Sequence, residues 1–93
     1  MLSGIHPKYT MSVHPKAGTT YNPLHDEVDG ATATIIDLAV GERGWLAYCF
    51  APDDWHRIHT STVEDVVVDE YGNVMVATNN TIYRLAKWHS DNN

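Results

Sequence analysis

From Ile58 to Leu85 the chain reads IHTSTVEDVVVDEYGNVMVATNNTIYRL, with apolar β-branched runs broken by two clusters of turn formers. The pattern predicts three short antiparallel strands joined by tight turns. Asn tolerates positive φ, so Asn79-Asn80 suits a two-residue type I′ hairpin. That hairpin pairs Thr78 with Thr81, Val76 with Tyr83 and Val74 with Leu85. Around Glu70-Tyr71-Gly72, a four-residue loop places Asp65 and Asp69 among these valines. A three-residue loop with Gly72 left-handed places Val66 and Val68 there instead. Because a one-residue slip exchanges the faces, the apolar pattern selects the three-residue loop. One face then holds Val66, Val68, Val74, Val76, Tyr83 and Leu85, which are expected in the core. The other holds Val63, Asp65, Val67, Met75, Ala77, Ile82 and Arg84, with Asp65 and Arg84 a candidate ion pair or polar pair. Its apolar members, Val63, Val67, Met75, Ala77 and Ile82, are expected to be covered by another element or another chain.

Upstream, Thr32–Leu38 and Trp45–Phe50 read as strands around a Gly41-Glu42-Arg43-Gly44 turn. Trp55–His59 reads as a further short strand after the turn Pro52-Asp53-Asp54. The Thr60–Val63 segment fits a bent strand better than a helical turn. Residues 1–30 contain Pro7, Pro15, Pro23, Gly4, Gly18 and Gly30 and are expected to form an irregular N-terminal arm. Within them Ile5-His6-Pro7-Lys8 is echoed by Val13-His14-Pro15-Lys16, too few copies for a repeat architecture. The division is therefore an arm over 1–30, an antiparallel β-domain over 31–89 and a frayed end over 90–93. The expected fold is mainly β, a small antiparallel barrel or β-roll, SH3-like, of five or six short strands.

At 93 residues the chain is expected to form one domain with a small core. With about 60 ordered residues such a domain is marginal alone. Cys49 is the single cysteine, so no intrachain disulfide supports it, and homo-oligomerisation becomes the expected support. The N-terminus lacks a signal peptide's apolar region, and no apolar run reaches spanning length. A protein of the host bacterial cytoplasm is expected, without membrane contact. The formal charge is −6, unsuited to general nucleic-acid binding. Residues 1–25 carry Lys8 and Lys16 and no acid, so all carboxylates fall from Asp26 onward.

Six histidines suggest metal, but His56 and His59 on a strand face opposite ways and cannot chelate together. No metal site and no cofactor is expected. Ser61, His59 and Asp65 are close in sequence, which does not make a triad. Asp53-Asp54 reads as a solvated turn, Cys49 as a buried small residue, and no enzymatic activity is expected. Arg57, His59, Thr60, Ser61, Asn80 and Arg84 are candidate ligand-binding residues, with donors suited to phosphate or carboxylate. Trp45, Trp55 and Tyr83 are candidates for stacking on a base. The stronger reading is structural: Thr60 and Ser61 satisfy a backbone bend, and Asn80 makes the hairpin.

Thr60, Ser61 and Val63, followed by Thr78, Asn80, Thr81 and Tyr83, make a T-S-x-V … T-x-N-[ST]-x-Y pattern. It resembles a pattern in small β-proteins of bacteriophages and mobile elements of Gram-positive bacteria, and it covers about the last third of the chain. Most such proteins have no assigned activity, but some phage proteins of this size are counter-defence factors. The resemblance implies a non-enzymatic accessory protein that binds and inhibits a host defence protein, as anti-CRISPR proteins do. The alternatives are an oligomeric sponge for a nucleotide second messenger, and a structural or assembly protein.

Overall fold

The computed structural model describes residues 8–16, 18 and 24–88. Six strands follow in order: β1 (Tyr9–Pro15), β2 (Thr32–Asp37), β3 (Arg43–Cys49), β4 (His56–Val68), β5 (Val74–Thr78) and β6 (Thr81–Lys87). A short helix, α1 (Leu24–Val28), lies between β1 and β2. Each strand pairs antiparallel with the next, and β6 returns to β1, closing a barrel. Closure removes the open edges on which flat sheets aggregate.

The expected count of six is met with different members. Trp55–His59 and the strand after it are one continuous strand, β4. The sixth strand comes from the segment expected to be an irregular arm. Tyr9–Pro15 pairs with β6 at seven positions, from Tyr9↔Lys87 to Pro15↔Thr81. Alternation in Tyr9-Thr10-Met11-Ser12-Val13 puts Tyr9, Met11 and Val13 inside the barrel. Pro15 is tolerated because it ends the strand. Residues 1–7 and 89–93, with most of the first His-Pro-Lys echo and the frayed end, lie outside the described residues.

Among the described residues β1 pairs with β2 at only Tyr9↔Ala33 and Thr10↔Thr32. Beyond that, Asp29 Oδ1 accepts from the Val13 amide at 2.9 Å, and Gly30 N donates to Met11 O. Next to this short seam α1 buries Val28 and His25. His25 Nε2 lies 2.9 Å from Thr81 Oγ1. The core combines Met11, Val13, Val28 and Ala33 with Leu46, Ile58, Val63, Val76, Tyr83 and Leu85.

The chosen hairpin register is present: Val68↔Val74, Val66↔Val76, Val76↔Tyr83 and Val74↔Leu85. Gly72 has φ +88°, as the three-residue loop requires. The second turn keeps its register but is not type I′, because neither Asn79 nor Asn80 has positive φ. Instead the buried Thr78 hydroxyl accepts from Thr81 N at 3.1 Å and donates to Thr81 O at 3.0 Å. That hydroxyl bridge closes the turn without positive φ at either asparagine.

Two expectations about the faces fail. Val63 is fully buried, because bulges interrupt β4 between His59 and Thr62 and again between Val63 and Asp65. Each bulge adds a residue and flips the alternation, so Ile58, Thr60, Val63 and Val66 all turn toward the interior. Val68 sits on the side of Val66, but at the barrel rim, and is 62% exposed.

Candidate functional site

The six candidate ligand residues do not converge. Arg57 and His59 stand on β4 beside β3, where His59 stacks on Trp45 with centroids 4.1 Å apart and planes within 2°. The Arg57 guanidinium lies 5.9 Å from the Trp45 ring centroid. Arg84 belongs to β6, paired with Met75 and Ser12, on a different part of the barrel wall. Thr60 is interior: its hydroxyl accepts from Gly44 N at 2.8 Å and donates to Ser61 O at 2.7 Å. Arg43 Nε donates to Thr60 O at 2.8 Å and fastens the same bend. Asn80 is the turn residue whose carbonyl accepts from Lys16 N. Thr60 and Ser61 therefore satisfy the backbone bend, as the stronger reading had it, whereas the hairpin is closed by the Thr78 hydroxyl and not by a left-handed Asn80. Tyr83 is buried, so it offers no stacking face, and burial pushes its phenol up, partly offset by a hydrogen bond with Thr81. Of the residues carrying the resemblance, Thr60, Val63, Thr78, Thr81 and Tyr83 are buried. They specify the barrel rather than a surface.

The expected outer face exists without Val63. Val67, Met75, Arg84 and Ser12 are successive cross-strand neighbours from β4 to β1. They line a groove of about 380 Å³ with Asp69, Asn73 and Ala86. Among the described residues Arg84 makes no ion pair within 4 Å, so the suggested Asp65–Arg84 pair is not formed. Beside the groove the β4–β5 hairpin exposes Val67, Val68 and Tyr71 among the exposed carboxylates Glu64, Asp65, Asp69 and Glu70. Lys16 pairs with Glu64. Asp69 organises the loop, accepting from Tyr71 N at 2.8 Å, Asn73 N at 3.0 Å and Asn73 Nδ2 at 3.0 Å. Loss of hydration raises its carboxyl, but hydrogen bonds from Asn73, Tyr71 and Gly72 outweigh that and hold it below the usual carboxylate range.

Sequence reasoning missed a second cleft. Lys8, Thr32, Cys49, Phe50, Ala51, Pro52, Asp53, Trp55 and Trp88 line a space of about 230 Å³. Phe50 and Trp88 are exposed large apolar residues. Trp88 donates from Nε1 to Thr10 Oγ1 at 3.0 Å and from its backbone to Lys8 O at 3.0 Å. The three-tryptophan content was the available signal, but only closure of β1 on β6 brings Lys8 to Trp88. Cys49 is buried; burial raises its thiol, Lys8 counters this, and Asp54 and Asp53 raise it further. A protonated thiol is a poor nucleophile.

His56 and His59 take different partners, His56 beside Tyr48 and His59 on Trp45. Among the described residues no group of three or more His, Cys, Asp or Glu is placed to hold a metal ion. No described helix is long and apolar enough to cross a membrane. Comparison with known proteins gives no match: no family model, curated protein or solved structure resembles this chain closely enough to register.

Proposed function

We propose that the protein is a non-enzymatic accessory protein of the phage or mobile-element kind, which binds a basic surface of a host defence protein and blocks it. The β4–β5 hairpin carries this reading. Val68 and Tyr71, 62% and 66% exposed, stand among four carboxylates. Lys16 pairs with Glu64 and the Lys87 side chain reaches Gly72, so this edge is acidic on balance, and apolar anchors on such an edge suit a partner whose own surface is apolar and basic. A nucleic-acid channel in a defence nuclease has that chemistry, and the formal charge of −6 steers the chain toward it.

The test is binding to purified RNA-guided nuclease complexes across a salt series, with DNA loading as a second readout. Affinity is expected to fall as salt rises, and the inhibitor is expected to compete with DNA. Tyr71→Ala should weaken binding at least tenfold, as loss of an interface anchor does. Absence of binding to every complex tested refutes the reading. So does use of the same hairpin to join two copies of this chain, seen as a Tyr71→Ala-sensitive dimer.

A further inference from the structure

The geometry of the Trp55–Trp88 cleft points to a site for a methylated ammonium head, held by cation–π attraction. Three aromatic side chains, Phe50, Trp55 and Trp88, line one small space. Ring contacts among the described residues join Trp45 to His59, and Tyr48 to Phe50 and His56. Trp55 and Trp88 therefore stack neither on each other nor on another described ring. An indole face is negative and attracts a cation within about 6 Å of its centroid. The chain already shows this preference, with Lys8 Nζ 5.9 Å from the Trp88 centroid. Lys8 thus stands in for the ligand and competes with it.

Charge admits a cation: Asp53 lines the cleft and offsets Lys8, so a bound cation that displaces the lysine is balanced by Asp53. Size favours a head group. About 230 Å³ is below the ~300–1,000 Å³ of pockets that enclose a drug-sized ligand. The walls are also fixed. Trp88 is tied to Thr10, and the Ala51–Asp54 turn is closed by Asp54 N donating to Ala51 O, with Asp53 at φ 65°. This cleft shares no residue with the β4–β5 hairpin, so its occupancy can be tested independently of host-protein binding.

The experiment follows the three indole N–H signals of the ¹⁵N-labelled chain during titration with choline chloride at constant ionic strength. Trp55 and Trp88 should shift saturably while Trp45, stacked on His59, stays as the internal reference. The neutral isostere 3,3-dimethylbutan-1-ol should bind much more weakly. Lys8→Gln should tighten choline binding several-fold, and Phe50→Ala, a change at an exposed position, should weaken it. A trimethyl-lysine peptide and phosphatidylcholine vesicles then separate a protein source of the head group from a lipid one. Equal response to choline and its isostere overturns the assignment. So does saturation by adenosine monophosphate in place of choline, or no shift at Trp55 and Trp88.

Discussion

Gly44 shows how a single residue sets the corner of the barrel. A Cβ there would lie 2.5 Å from Leu38 Cδ2, 3.1 Å from Asp37 O and 3.3 Å from Thr60 Oγ1. The leucine tip can turn away, but the backbone oxygen and the bonded hydroxyl cannot. Gly44→Ala is expected to cost about 1–3 kcal/mol in urea unfolding. Asp69 makes a pH-dependent prediction. Its carboxyl is lowered from 3.8 in the folded state, so its contribution is complete above that value and is lost as pH falls through the folded value. Protection of the Tyr71 and Asn73 amides, taken relative to their intrinsic exchange rates, should therefore fall as pH drops through that folded value, below 3.8, a loss that Asp69→Ala should produce already at neutral pH. Gly72 was readable as a turn residue from sequence. The three bonds made by one carboxylate were not, because they depend on the loop conformation.

At the scale of elements, β4 teaches most. Its valines were placed by an unbroken alternation, yet two bulges within it reverse which side chains face inward. Val63 and Val67 were expected on one face, whereas Val63 is 1% and Val67 47% exposed. Val63→Ala should lose roughly 2 kcal/mol, and Val67→Ala less than about 0.5 kcal/mol, by chemical denaturation. Equal losses would show that β4 is unbulged. The bend over Thr60–Val63 was legible, but its bulged pairing was not. The donors that settle the choice, Gly44 N and Arg43 Nε, come from β3. The Asn79-Asn80 turn is the converse case. Its pairing followed from the flanking apolar residues, while its backbone form was decided by the Thr78 hydroxyl.

For the whole molecule, closure decides stability. β1 contributes Tyr9, Met11 and Val13 to the core and protects the edge of β6. A chain truncated before Lys16 should lose cooperative thermal unfolding and amide dispersion, whereas loss of an irregular arm would leave both intact. Closure also supplies part of the support that was expected from oligomerisation alone, because residues before Ala31 enlarge the core. The two arginines imagined as one phosphate site end on separate stretches of wall. Lys8 and Trp88, eighty positions apart in the chain, become neighbours.

Sequence by itself determined the β class, the paired register of β4, β5 and β6, and the left-handed glycine at position 72. These rest on local alternation and turn chemistry, which act over a few residues. Tertiary structure alone decided that Tyr9–Pro15 closes the barrel, that Val63 turns inward, and that Arg57 and Arg84 stand apart while Trp55 and Trp88 share a cleft. Each of those outcomes depends on a partner distant in the chain. The alternation of a segment fixes its two faces, but only the strands beside it decide which face meets the core.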